Sequence, residues 1–313
     1  MFRKVLYGLK ILLILVVTLF GWGQYQRVSL VNSTPPPGQM IDMIDYQLHL
    51  DCKGQGPVTV LLEAGSNEFS LTWDKVFLEL SKQTQVCRYD RAGLGWSKSS
   101  PIPRVASSMA DEFQELLKQA KIQPPYIFVG HSYGGYIGQW FAHLYPESLA
   151  ALLLIDSAHI DQFIRIPSAQ SELDRLIYQF TTLQRVNRMG LMAMRPSTIP
   201  ERGFSGETLR QYRGVLASRN YFLAAMEEGR LVRESLEEGV QVLNHINVPV
   251  VVVTRGRADG LNDEEFAAWQ SMQRELLTVS ARSKQVIAKQ SGHYIHMDQP
   301  EVVVQEIKML LQQ

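Results

Sequence analysis

The sequence predicts an α/β protein: a mostly parallel sheet, wound on both faces by helices, with a helical insert and one apolar helix ahead of it. Three observations carry this. Short continuous apolar runs such as 58–62, 151–155 and 250–254 have strand length and no wet face, as strands covered on both sides require. Segments of helical period alternate with them. Between the runs ending at 155 and starting at 250 lie roughly 90 residues with helical patterns but no strand signal, far more than an ordinary loop.

The elements follow in order. Val5 to Gly23 is almost wholly apolar, broken only by Lys10. Its length, about 19 residues, is close to the roughly 20 that cross a bilayer. The charges before Asp42 are all basic (Arg3, Lys4, Lys10, Arg27), and three precede the most apolar part. That pattern predicts a cytoplasmic N-terminus and an exported body. No small-residue cleavage site is evident around Phe20 to Tyr25, so an uncleaved signal anchor over 1–27 is expected ahead of a secreted, cleaved form. A Pro-rich linker, 28–40, follows, leaving 41–313 as the catalytic body with its helical insert at about 160–245.

Residues 46–51 alternate as a half-buried strand, and 58–62 and 86–89 are buried strands. Met109, Phe113, Leu116 and Leu117 share a helical face, with Ser108 as a candidate N-cap. A strand at 126–129 leads into a helix over 133–145 that Pro146 ends. Strands at 151–155, 250–254 and 284–287 follow. Val303, Ile307, Leu310 and Leu311 give an amphipathic C-terminal helix. Cys52 and Cys87 each lie at or near a strand end; a bridge and two buried thiols both fit. The 313 residues are 45% hydrophobic and 20% charged with zero net charge, which argues against a nucleic-acid partner.

The chemistry centres on Gly130-His131-Ser132-Tyr133-Gly134-Gly135. A serine between a strand and a helix, with glycine two positions either side, suits a turn so sharp that larger side chains would collide. Ser132 is then the nucleophile at a helix N-terminus, and it needs a base. His293, after Gly292 in a loop near the C-terminus, is the candidate, with His296 as competitor. His49, His143, His159 and His245 have no comparable setting. The acid that orients the imidazole is expected to be Asp259, beyond the 250–254 run, with Asp156 at another strand end as the alternative. Asp263 reads as a helix cap. Backbone N–H groups of Ser66 and Tyr133 would hold an oxyanion.

With these residues in view, the chain from about 40 to 313 resembles the α/β-hydrolase superfamily, in its cap-bearing serine esterase, lipase and peptidase branch. The carriers are the 130–135 elbow, Asp90-Arg91-Ala92-Gly93-Leu94-Gly95-Trp96-Ser97, the 255–259 segment, and Ser291-Gly292-His293 with Pro300 beyond. The resemblance implies the α/β-hydrolase fold, a cap between two late strands, the order Ser, acid, His, and Ser66 as oxyanion donor relative to Gly65 and Trp73. Many members have His-Gly where this chain has Ala64-Gly65. Relatives with aspartate at the elbow dehalogenate; serine argues against that.

The expected activity is hydrolysis of a small-molecule ester or amide through an acyl-enzyme, needing no metal and no organic cofactor. The same triad would also serve an acyltransferase or a perhydrolase or haloperoxidase-type enzyme, and a non-catalytic binding member is the contrasting reading. The 90–97 segment reads as a structural turn. Met189, Met192 and Met194 suit an apolar acyl site or, more simply, helix packing. Oligomeric state and substrate are not legible.

Overall fold

The structure, a computed structural model, describes residues 2–239 and 246–312; His245 and the expected end of the cap near 245 lie outside them. The strands are β1 (Gln39–Asp42), β2 (Gln47–Lys53), β3 (Thr59–Glu63), β4 (Gln85–Tyr89), β5 (Tyr126–His131), β6 (Leu149–Ile155), β7 (Val250–Arg255) and β8 (Ser283–Ala288). The helices are α1 (Phe2–Asn32), α2 (Asp74–Leu80), α3 (Ala106–Gln119), α4 (Tyr133–Leu144), α5 (Gln162–Arg165), α6 (Pro167–Arg188), α7 (Leu191–Met194), α8 (Gly206–Leu216), α9 (Tyr221–Gly239), α10 (Asp263–Glu275), α11 (Ile295–Asp298) and α12 (Pro300–Leu310). The chain falls into two compact units, Met1–Pro35 with Tyr178–Leu223, and Pro36–Ile177 with Ala224–Gln313.

The second unit holds one eight-stranded sheet in the order β1-β2-β4-β3-β5-β6-β7-β8. β1, β2 and β4 pair antiparallel at one end; β4, β3 and β5 to β8 run parallel. Alternation along the buried strands sends side chains to two cores. On one face Leu61, Phe128, Leu152 and Val252 pack with Phe113 of α3 and Ile137 and Phe141 of α4. On the other, Leu62, Val129, Leu153 and Val253 meet Phe77 of α2 and Val303 and Ile307 of α12. Both faces are covered, which is why the strands read as continuous apolar runs. Between β6 and β7 the described residues hold helices and no strand.

Four local expectations change. β1 begins inside the expected linker. α3 starts at Ala106 after Val105, so Ser108 lies within the helix and is not its cap. The cap of α10 is Asn262, whose side chain accepts from Glu265 N–H in a reciprocal capping box, and Asp263 is the first helical residue. α1 runs on to Asn32, past the expected end of the anchor at 27. Cys52 and Cys87 are directly opposite across β2 and β4 and form a disulfide.

In the first unit, every residue of α1 from 2 to 22 is exposed, and Gly23 and Arg27 are buried. At 1.5 Å per residue the exposed part is about 32 Å long, and its window of mean hydropathy 2.2 makes α1 long and apolar enough to cross a membrane. Below it the helix packs within its unit. Gln24 Nε2 donates to Arg188 O at 2.9 Å, and a Cβ on Gly23 would stand 2.6 Å from Met189 O. Met189, Met192 and Met194 belong to this unit.

Candidate active site

β5 delivers Ser132 to a turn that only a tight steric fit permits. Ser132 has φ 51° and ψ −121°, a conformation rare for a residue with a side chain. The backbone closes on itself: a Cβ on Gly130 would lie 2.3 Å from Gly134 O, and one on Gly134 2.4 Å from Ala64 O. Ser132 N–H donates to Ile155 O at 3.0 Å, so β6 fixes the turn. Tyr133 opens α4; its N–H is among those a helix start leaves without an intrahelical partner. Ser66, Ser132, Tyr133 and His293 line one cavity of about 310 Å³.

The acid of the imidazole differs from the expected one. His293 Nδ1 lies 2.6 Å from Asp156 Oδ2. Asp259 instead accepts the backbone N–H of His293 through Oδ2 at 3.0 Å. The reason lies in the strand ends. β6 pairs with β7, and Asp156 N–H donates to Val253 O at 2.7 Å, seating the Asp156 side chain beneath the histidine. Asp259 lies further out, on an exposed turn with φ 51°. A Cβ on Gly292 would lie 2.6 Å from Asp259 Oδ2, so glycine there lets the two segments close.

Asp156 is fully buried and well supplied with donors. Its Oδ1 accepts from Trp269 Nε1 at 2.8 Å and Arg255 N–H at 3.2 Å, and Arg255 Nε lies 3.4 Å from Oδ2. Burial pushes its carboxyl up, but the His293 bond, Arg255 and Trp269 together outweigh burial and hold it below the usual carboxylate value. His293 moves the other way for an imidazole beside a carboxylate. Burial lowers it, Asp156 opposes, and His131 and Arg255 add to the lowering. A neutral imidazole over an ionised, buried carboxylate is the state in which Nε2 can take a proton.

His296, the competing base, is fully buried, packed against Trp73 with ring centroids 4.4 Å apart and the rings tilted by 36°, and has no bond to Asp156. The 63–68 loop is held by the 90–97 segment, which the sequence reads as a structural turn, and by Glu228. Arg91 donates to Glu228, Ala64 O and Gly65 O at 2.8, 2.7 and 2.6 Å. Asp90 accepts from Ser70 N–H and Trp96 N–H at 2.8 and 2.9 Å, so the 90–97 segment is a brace behind this loop. No motif flags Trp269, Glu228 or Glu68, because each acts through a contact distant in sequence, with Asp156, Arg91 and His131 respectively; Arg255 lies in the 255–259 segment, but its place beside Asp156 is a tertiary fact.

Such a strained serine, a histidine on a strand-end carboxylate and a sheet of this order define an α/β hydrolase. The profile of the alpha/beta hydrolase family matches residues 15–306, and the chain belongs to that family. It is 29% identical over 254 residues to the uncharacterized protein YqjL of Bacillus subtilis, covering 80% of this chain and 82% of that one. Among solved structures it is similar to epoxide hydrolase CorEH (TM-score 0.66, 19% identity, 88% of this chain and 98% of that one). It is also similar to a thermophilic esterase from Thermogutta terrifontis (TM-score 0.61, 24% identity, 88% and 97%).

Proposed function

We propose that the protein is a serine hydrolase that cleaves an ester, or an amide, through Ser132, His293 and Asp156. The observation that carries this is the 2.6 Å approach of His293 Nδ1 to the buried Asp156 carboxylate, in the cavity that Ser132 lines. In the proposed reaction Ser132 Oγ attacks the carbonyl carbon and its proton passes to His293 Nε2. The Tyr133 and Ser66 amides hold the oxyanion. His293 then protonates the leaving oxygen or nitrogen, and water, deprotonated by the same imidazole, releases the acid.

One stretch of the cavity wall supports an apolar acyl group, although Glu172 and Asp259 also line the cavity. Phe163, Ile166, Leu173, Leu176, Val232 and Leu261 line it. Of the basic groups on the wall, Arg255 is engaged with Asp156 and lies over the Trp269 ring, and His131 is engaged with Glu68. We further propose that α1 anchors the protein in a bilayer with the sheet unit exported; the Cys52–Cys87 disulfide suits an oxidising compartment.

The test is labelling by a fluorophosphonate and turnover of p-nitrophenyl butyrate by the full chain in micelles. Both are expected, and both are expected to vanish in Ser132→Ala. Retained turnover in that variant sinks the proposal. Competing alcohols in the assay separate hydrolysis from acyl transfer.

A further inference from the structure

A pair of buried residues beside the triad has no part in the chemistry above. His131 is 1% exposed and Glu68 7%. Glu68 Oε2 takes two bonds, from Gly65 N–H at 2.9 Å and from His131 Nδ1 at 3.0 Å. His131 Nε2 lies 3.0 Å from the backbone O of His293. Both ring nitrogens of His131 therefore face oxygens that accept. A neutral imidazole donates from one nitrogen only, so this arrangement fits an imidazolium on an ionised carboxylate.

We propose that Glu68 and His131 are a positioning pair, a buried ion pair that locks the oxyanion loop and the backbone of His293 to the strand end carrying Ser132. The inference rests on the serine hydrolase reading. The two partners tie together separate parts of the site: Glu68 holds the turn that presents the Ser66 amide, and His131, next to the nucleophile, holds the peptide of the base. Gly65 must be glycine for this fit, since a Cβ there would stand 2.8 Å from His131 Nδ1.

The electrostatics agree. Burial lowers His131, but Glu68 outweighs it and the net direction is upward. Burial raises Glu68, and His131 outweighs it downward. The clamp therefore also sets a positive charge beside the base, with ring centroids 4.6 Å apart. The other groups facing His293 are Asp156 from the end of β6, Arg255 from β7, Asp259 on its backbone, and Tyr294 and His296 from its own segment. His296 has no bond on either ring nitrogen, and its burial pushes it well down, so it adds no charge.

Glu68→Gln keeps the shape and removes the charge. It is expected to lower kcat about 10–100-fold, the scale of a lost charge-assisted bond, with KM within about twofold. Glu68→Asp is expected to recover part of kcat. His131→Asn removes the positive neighbour of His293 and leaves the Glu68 carboxylate, so the acid limb of kcat/KM is expected to move to higher pH. Slow fluorophosphonate labelling of Ser132 is expected to persist in all three; its absence from the wild-type protein would instead defeat the hydrolase reading. 15N-histidine spectra at pH 8 should show a ring protonated on both nitrogens that is lost in His131→Asn; the comparison separates it from His49, whose Nδ1 also lies 2.8 Å from a buried carboxylate oxygen, Asp90 Oδ2. A spectrum with every ring neutral, or Glu68→Gln with unchanged kcat, overturns the clamp. So would zinc bound stoichiometrically by the wild type and lost in Glu68→Gln, which would make Glu68, His131 and His296 a metal site.

Discussion

Replacing Asp156 by Asn separates the two candidate acids. Asp156 Oδ1 accepts from Trp269 Nε1 and Arg255 N–H, and Oδ2 meets His293 Nδ1. In the variant, the amide oxygen keeps the first two donors and the amide NH2 faces the ring. His293 Nδ1 must then accept, which moves its proton to Nε2, the nitrogen that should take the serine proton. A base in the wrong tautomer loses on the order of 10⁴ in kcat, about 5.4 kcal/mol of barrier. Folding is expected to survive, because Asn tolerates the left-handed backbone, φ 43°, that Asp156 adopts. In Asp259→Asn the amide oxygen still accepts the His293 N–H, and the loss is expected to stay below about tenfold, one neutral hydrogen bond replacing a charged one. The assay is kcat and KM on p-nitrophenyl butyrate beside a thermal melt. A large loss in Asp259→Asn with near-normal Asp156→Asn would refute the assignment.

Other outcomes follow from the same site. The imidazole must be neutral to act as base, and its net shift is below the ordinary 6.5; half-maximal kcat/KM is therefore expected below that pH, and a midpoint above it contradicts the reading. Gly134→Ala drives a Cβ to within 2.4 Å of Ala64 O and 2.7 Å of Glu63 O. Overpacking against backbone costs about 1–3 kcal/mol or more, so the melt should fall by several degrees and activity with it. Gly21→Ala, with nothing within 4 Å, is the neutral control. Cys52→Ala with Cys87→Ala opens a link across a sequence separation of 35. It should cost about 3–4 kcal/mol, read as a shift in denaturation midpoint that reductant reproduces in the wild type.

The parallel sheet was legible because burial on both faces leaves apolar runs such as Leu61 and Leu62 with no polar alternation. The elbow was legible because its glycines sit at fixed spacing about the serine; Gly130 is demanded by contact with Gly134 itself, while Gly134 is demanded by Ala64 O, far off in sequence. The pairing of His293 with Asp156 spans 137 positions, and local sequence cannot register which strand end lies beneath the ring. Asp259 was favoured for sitting at a strand end in a segment resembling the superfamily. It does reach His293, but at the peptide. Its exposure and the burial of Asp156 are tertiary facts. Glu68 and His131 were unreadable for a similar reason: a glutamate in a loop and a histidine before the serine look ordinary until the fold closes them together.

The lower part of α1 bears on how this protein should be handled. Arg27 reaches Asn187 O, Arg210 reaches Ser33 O, and Gly214 lies against Thr34, whose Oγ1 is 2.1 Å from where a Cβ would sit. Residues 23–34 are therefore a structural partner of 178–223 as well as a continuation of an apolar helix. Clipping the first 35 residues to gain solubility would strip that helical segment of its packing surface. Substrate profiles measured on such a shortened protein would then describe a damaged unit, and detergent-solubilised full-length material is the fair sample.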